Sequence, residues 1–215
     1  MKNLLYKEFK LVLYPPFYLV LLLTLLILIP GWVYFIAMSY VFFIVISNIF
    51  TMSRTNNDIS FSMMMPVKKT DIVKARLFSV SFIELLNIAA AVPCAIINNV
   101  LYKNNNALMN PNIAFFGIVF VMYGVFNLIL FSTYYKTGYK LLWPLVGAMA
   151  GALGVAEAAE FFILTDPVLK EALKSDNPDM LIWKLIVLIG GILIFALFNI
   201  IAFKLSAKRF NRLDF

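Results

Sequence analysis

The chain has 215 residues, 63% of them hydrophobic and only 13% charged, with a formal net charge of +7. Those proportions belong to membrane proteins rather than to soluble domains. There is no histidine and a single cysteine, Cys94, which excludes Ser-His proteases, His-ligated zinc or haem sites and any intrachain disulfide.

Residues 1–13, MKNLLYKEFKLVL, are too charged to cross a bilayer. Asn3, Lys7 and Lys10 fall on one side of a helix, with Leu4, Leu5, Phe9 and Val12 on the other. That pattern predicts an amphipathic helix on the membrane surface. A cleavable signal peptide fits poorly, because the charged region is long and no small-residue cleavage site follows.

Residues 11–53 then carry no charge. One span takes about 20 apolar residues, so this run predicts two spans, 15–29 and 32–51, reversing at Pro30-Gly31. The longest polar stretch, 53–76, follows. Span 3 is expected at 77–102 and carries Glu84. An asparagine-rich loop ends in Asn110-Pro111, a turn signature. Span 4 is expected at 113–134, and a short basic loop holds Lys136 and Lys140. Span 5, at 141–163, has Glu157 and Glu160 near its end. Asp166 and Pro167 suit the N-cap and first position of a short polar helix, closed by Asn177-Pro178. Span 6 is expected at 181–203, with a basic tail after it.

Lysine and arginine counts set the orientation. With both termini on one side, that side holds fourteen Lys and Arg, against four on the other. Both termini are therefore expected in the cytoplasm. The positive charge is then a topology signal and not a nucleic-acid footprint.

The segment 53–76 reads SRTNNDISFSMMMPVKKTDIVKAR, polar at its ends and apolar in the middle. Thr70 or Asp71 is a candidate cap for a helix leading into span 3. The run Met63-Met64-Met65 beside Lys68 and Lys69 is unusual for a plain connector. Adaptable, exposed apolar residues of this kind mark interfaces. Two readings fit: a docking element for a cytoplasmic partner, or a surface helix resting on lipid headgroups.

The pattern Asn57-Asp58, then Met65-Pro66-Val67-Lys68-Lys69-Thr70-Asp71-Ile72-Val73, then Ala75-Arg76 resembles the segment after the second span in ATP-binding-cassette (ABC) exporter permeases of the type-2 class. Many members show Leu-Pro-Val where this chain has Met65-Pro66-Val67. The architecture is similar over the whole chain, the motif over about twenty residues. Within the class the chain looks most like small permeases, often from Gram-positive bacteria, that include the membrane subunits of phenol-soluble-modulin peptide exporters.

The resemblance implies an all-α membrane protein forming one transmembrane permease domain over 1–215. It has six spans, an N-terminal surface helix, a cytoplasmic coupling helix between spans 2 and 3 and a short external helix between spans 5 and 6. It places ATPase docking on Pro66, Val67, Lys68, Lys69, Thr70, Asp71, Ile72 and Val73, with residues 2–10 as a further contact. The ATPase is expected in another chain, which would hold ATP and magnesium, because no G-x-x-x-x-G-K-[ST] loop occurs here. No cofactor, metal site or catalytic residue is expected in this chain. A second permease chain, as a homodimer or with a similar paralogue, is implied, as is a bacterial plasma membrane location.

The remaining signal is the set of acids within spans. Glu84 lies about two turns into span 3, and Glu157 and Glu160 share one helical face near the outer end of span 5. A carboxylate in a span costs a few kcal/mol and faces protein or water. These acids either line a path or gate, or pair locally, Glu84 with Arg76 or Lys140. Tyr134, Tyr135, Tyr139 and Trp143 are expected as interface anchors at the inner boundary. Small residues from Gly147 to Gly154 mark span 5 as a candidate helix seam.

The leading function is the membrane subunit of an ATP-driven exporter for an amphipathic or hydrophobic substrate, including cytolytic or antimicrobial peptides. The alternatives are a membrane immunity or scaffold protein that captures toxic peptides without transport, and an ion-coupled carrier.

Overall fold

A computed structural model describes residues 2–12, 15–64, 66–102, 108–137, 140–174 and 178–212. Among them the regular structure is entirely helical. Helix α1 (Lys2–Lys7) continues as a π-helical turn, Glu8–Val12. Helix α2 (Pro15–Leu28) has 3₁₀ geometry. Gly31 turns the chain with φ +75, in the left-handed region that favours glycine. Then come α3 (Tyr34–Thr55), the short α4 (Asp58–Met64), α5 (Lys69–Leu101), α6 (Ile113–Thr137) and α7 (Leu142–Thr165). The brief α8 (Pro167–Leu169) continues as Lys170–Lys174, and a single turn at Pro178–Met180 leads into α9 (Leu181–Asn211).

Five helices, α3, α5, α6, α7 and α9, are long and apolar enough to cross a membrane. The expected first span, 15–29, coincides with α2, an apolar helix of only 14 residues and shorter than those five. The helix expected to lead into span 3 and the span from 77 form one continuous α5 from Lys69, and the buried Ile72, Val73 and Ala75 hold its first turns by packing. The expected basic tail is largely the end of α9, where Lys208 and Arg209 sit favourably at the negative end of the helix dipole.

Helix α6 is the enclosed centre, and α7 and α9 leave most of their apolar surface outside. Its aromatic side chains fill the core: Phe126 stacks on Phe42 of α3 with ring centroids 3.9 Å apart. Tyr134 and Tyr135 are buried in this core at 1% and 2% exposure, which corrects their reading as interface anchors. Phe50 and Phe210 pack against them edge to face. Trp143, 76% exposed, does fit an anchor, and Tyr139 lies outside the described residues.

The tightest helix crossing joins α6 and α9. A Cβ on Gly191 would lie 2.1 Å from the Gly117 carbonyl oxygen. These two glycines let the backbones touch. Among the small residues of span 5, Gly151 approaches α6 at Ile129 and Val125, and Ala148 and Ala152 are buried.

Buried amides lace the spans together. Asn98 of α5 donates to the Ile27 carbonyl of α2 at 2.7 Å and to the Tyr34 hydroxyl at 3.1 Å. Asn87 of α5 donates to the Tyr123 hydroxyl at 2.7 Å, and that hydroxyl donates to the Met38 carbonyl at 3.0 Å. In lipid such groups must find protein partners.

Candidate functional site

The end of the bundle that carries α1 and α4 holds a cluster of four charges. Leu4 is buried, and Phe9 packs edge to face on Phe78 and Phe82 with centroids 6.2 and 5.0 Å apart. These contacts lay the N-terminal segment along α5 and turn Glu8 inward, to 1% exposure. Two turns into α5, Arg76 meets it. The Arg76 Nη2 donates to Glu8 Oε1 at 3.1 Å, and Nε lies 2.7 Å from Oε2 as a charge contact.

Asn57, at φ +49, turns the chain out of α3, a conformation asparagine tolerates better than most residues. Asp58 is thereby placed over the same guanidinium. Arg76 Nη2 donates to Asp58 Oδ2 at 2.7 Å, and Lys7 Nζ donates to Asp58 Oδ1 at 2.6 Å. Ser53 donates to Asp58 Oδ2 at 3.2 Å, and Lys7 also donates to the Ser62 hydroxyl at 2.9 Å. The Arg76 guanidinium carbon sits 5.7 Å from the Phe50 ring centre. Two cations and two carboxylates balance. Burial raises the Asp58 carboxyl's pKa, but Arg76, the Lys7 hydrogen bond and charge, and Ser53 outweigh it and hold that pKa below its usual value.

The eight residues singled out for docking divide into two groups. Pro66 and Lys68 are exposed, and Val67, Lys69, Thr70 and Asp71 are half-buried. Ile72 and Val73 are in the core at 4% and 0% exposure and present nothing to a partner. Pro66, Val67 and Lys68 form a bend, and α5 begins at Lys69 with extended Lys68 as its N-cap. The expected cap by Thr70 or Asp71 does not form, since the cap has no side-chain hydrogen bond. The free-standing short helix of this segment is α4, just upstream. Its Phe61 and Met64 are 58% and 85% exposed, so apolar side chains of this segment do face outward. Met65 lies outside the described residues. Lys69 Nζ sits 6.0 Å from the Phe210 ring centre, joining this face to the end of α9.

The acids within spans are dispersed. Glu84 is fully buried, and its Oε2 accepts from Asn127 Nδ2 at 2.7 Å. Asn127 also donates to Asn199 Oδ1 at 3.1 Å, as does Ser81 at 3.1 Å, so the network joins α5, α6 and α9. Among the described residues Glu84 Oε1 has no hydrogen-bond partner. The expected pairing of Glu84 with Arg76 is overturned, because Arg76 is committed to Glu8 and Asp58. Lys140 is exposed and Glu84 fully enclosed. At the other end of the bundle, Glu157 is exposed, and Glu160 accepts from the Met109 backbone N–H at 3.1 Å. Asp166 caps α8 as expected, accepting from the Val168 and Leu169 N–H groups at 2.8 and 3.4 Å. Among the described residues no group of three His, Cys, Asp or Glu is placed to hold a metal ion.

Lys7, Glu8, Asp58 and Arg76 did not emerge as a set from the sequence. One signal was present. Glu8 lies four residues from Leu4 and from Val12, so it sits on the apolar face of the N-terminal helix. An acid there needs a buried partner.

No curated protein and no solved structure shows a match to the chain. A family model described as ABC-2 family transporter protein matches residues 3–211, nearly its whole length. The chain belongs to the ABC-2 transporter family, multi-pass membrane permeases that work with a partner ATPase subunit.

Proposed function

We propose that this chain is the power-receiving membrane subunit of an exporter for amphipathic or hydrophobic substrates, cytolytic or antimicrobial peptides among them. The observation that carries this reading is the four-charge cluster. It binds α1, α4 and the base of α5 into one unit, and the docking patch is drawn from the exposed Phe61, Met64, Pro66 and Lys68 of the same connecting segment. A partner ATPase seated on that patch moves α4. Asp58 passes the displacement through Arg76 to α5, a single helix of 33 residues that reaches the other end of the bundle.

In this reading the basal end is cytoplasmic, as the lysine and arginine asymmetry favours, and the membrane is the bacterial plasma membrane. Helix α2 serves as the sixth span. At the 3₁₀ rise of about 2.0 Å per residue its length is about 28 Å, close to the hydrocarbon thickness of about 30 Å. The outward apolar faces of α7 and α9 are where a second permease chain would pack. ATP and magnesium bind in the partner ATPase.

The test is a reconstituted complex of permease and ATPase in sealed vesicles. Peptide movement that requires ATP, and ATP hydrolysis that requires the permease, support the reading. Peptide capture with neither dependence would assign the chain to binding without transport.

A further inference from the structure

A groove of about 540 Å³ runs along the outside of the bundle between α5, α6 and α9, at the end away from α1. Its volume is within the usual range for small-molecule sites, about 300–1,000 Å³. The walls are mostly apolar, with Ile88, Ile96, Phe116 and Ile192 among them; Asn99 and Asn112 also line it, and Lys184 is its one cation among the described residues. Ile96 and Ile192 are exposed along its rim, so the groove opens sideways from the bundle.

Two features fix how this groove sits in a bilayer. Lys184 is only three residues into α9, and its neighbour Trp183 is 57% exposed. Exposed tryptophan at a helix end marks the headgroup level. A lysine at that depth ordinarily snorkels to water; Lys184 instead lies against the groove at 7% exposure. From Asn99 to Ile88 the lining on α5 extends eleven residues, about 16 Å at helical rise. One leaflet's hydrocarbon is about 15 Å deep, half of the bilayer core. The groove therefore has a cation at headgroup level and an apolar shaft as long as one acyl chain.

We propose that this groove is a binding site for an anionic glycerophospholipid. One acyl chain lies along Ile88, Ile96 and Phe116, and the phosphate accepts from Lys184. An ammonium has three donors, so a phosphate oxygen and a protein acceptor can share it. The charge complementarity selects an anionic headgroup over a zwitterionic one.

The test takes the full-length chain through vesicles of equal phosphatidylglycerol and phosphatidylcholine, then counts retained lipids by native mass spectrometry. The wild type should hold phosphatidylglycerol in preference. Lys184→Gln should reduce that preference roughly fivefold, the effect expected of one lysine near a charged surface, and Lys184→Arg should keep it. Ile96→Trp, at an exposed position of the rim, should displace the lipid whatever its headgroup. Equal retention of the two lipids by the wild type would overturn the proposal, as would an unchanged preference in Lys184→Gln. Should Lys184→Gln lose its helical signal, Ile96→Trp decides alone: undiminished phosphatidylglycerol there would also overturn it.

Discussion

Arg76 and Glu8 meet across 68 positions of sequence, with Nη2 donating to Oε1 at 3.1 Å. Their side chains are 5% and 2% exposed, so the pair is an internal tie. It makes the N-terminal helix part of the bundle and not a loose surface anchor. Removing Arg76 strands the buried Glu8 carboxylate, which costs about 3–5 kcal/mol for a buried pair, whereas removing Glu8 leaves Arg76 its Asp58 partner. Arg76→Ala should lower thermal stability in detergent by that order, and Glu8→Ala by less. The double variant Glu8→Ala with Arg76→Ala should lose less than the two singles combined. Simple additivity would show that the two residues do not act as a pair.

Asp58 gives the cluster a pH signature. Its carboxyl is held below its ordinary value of 3.8, burial being outweighed by Arg76, Lys7 and Ser53. A depressed acid contributes stability that is complete above its unfolded pKa, about 3.9, and fades as pH falls through the folded value. Thermal stability should therefore show no contribution from Asp58 titration between pH 5 and 8, taken as roughly the range above both pKa values. An acid-side loss should appear below about pH 4. Asp58→Asn should lower stability at neutral pH and flatten that acid-side loss. An equally steep acid limb in the variant would assign it elsewhere.

Glu84 should matter more than Glu160. Replacing Glu84 by alanine leaves the Asn127 amide short of its acceptor inside the bundle, about 1–3 kcal/mol. Glu160 is half-buried and loses one hydrogen bond from Met109, about 0.5–1.5 kcal/mol. Glu84→Gln keeps an acceptor for Asn127 without the charge. Normal stability and transport in Glu84→Gln, with both reduced in Glu84→Ala, would make Glu84 a packing residue. Loss of transport alone in Glu84→Gln would make its carboxylate functional.

The α6–α9 crossing is tested by a pair of neighbours. Gly191→Ala places a methyl 2.1 Å from the Gly117 carbonyl oxygen, so the helices must part, at about 1–3 kcal/mol for an overpacked contact. Gly190 has no atom within 4 Å of its added Cβ. Gly190→Ala should leave the melting temperature unchanged while Gly191→Ala lowers it. Equal effects would contradict the crossing.

Hydrophobic runs and their breakers made the long helices legible: the uncharged stretch, the turn at Gly31 and the Asp166 cap are all local signals. What stayed hidden depends on partners far along the chain. Nothing near Arg76 in sequence shows that Glu8 reaches it rather than Glu84, because the choice is made by Phe9 packing on Phe78 and Phe82. A helix capped near Thr70 or Asp71 was legible and α5 begins at Lys69, but Lys69, Lys74 and Arg76 hid how far the buried core extends, with Ile72, Val73 and Ala75 between them burying one helical face. Tyr134 and Tyr135 were misplaced for a related reason. Composition does not say whether an aromatic side chain at a span's end faces lipid or the core.

The most direct test of the central claim places a photo-crosslinking residue at Lys68, and in a separate variant at Ile182, in the native membrane. Lys68 is exposed in the segment joining α4 to α5, the helices that carry Asp58 and Arg76, and Ile182 is 68% exposed at the opposite end of the bundle. Position 68 should capture an ATP-binding subunit and position 182 should not. Weakening the cluster with Glu8→Gln should leave that capture intact while reducing ATP-driven export. Capture of the ATPase from position 182, or of no nucleotide-binding chain from position 68, would contradict the account.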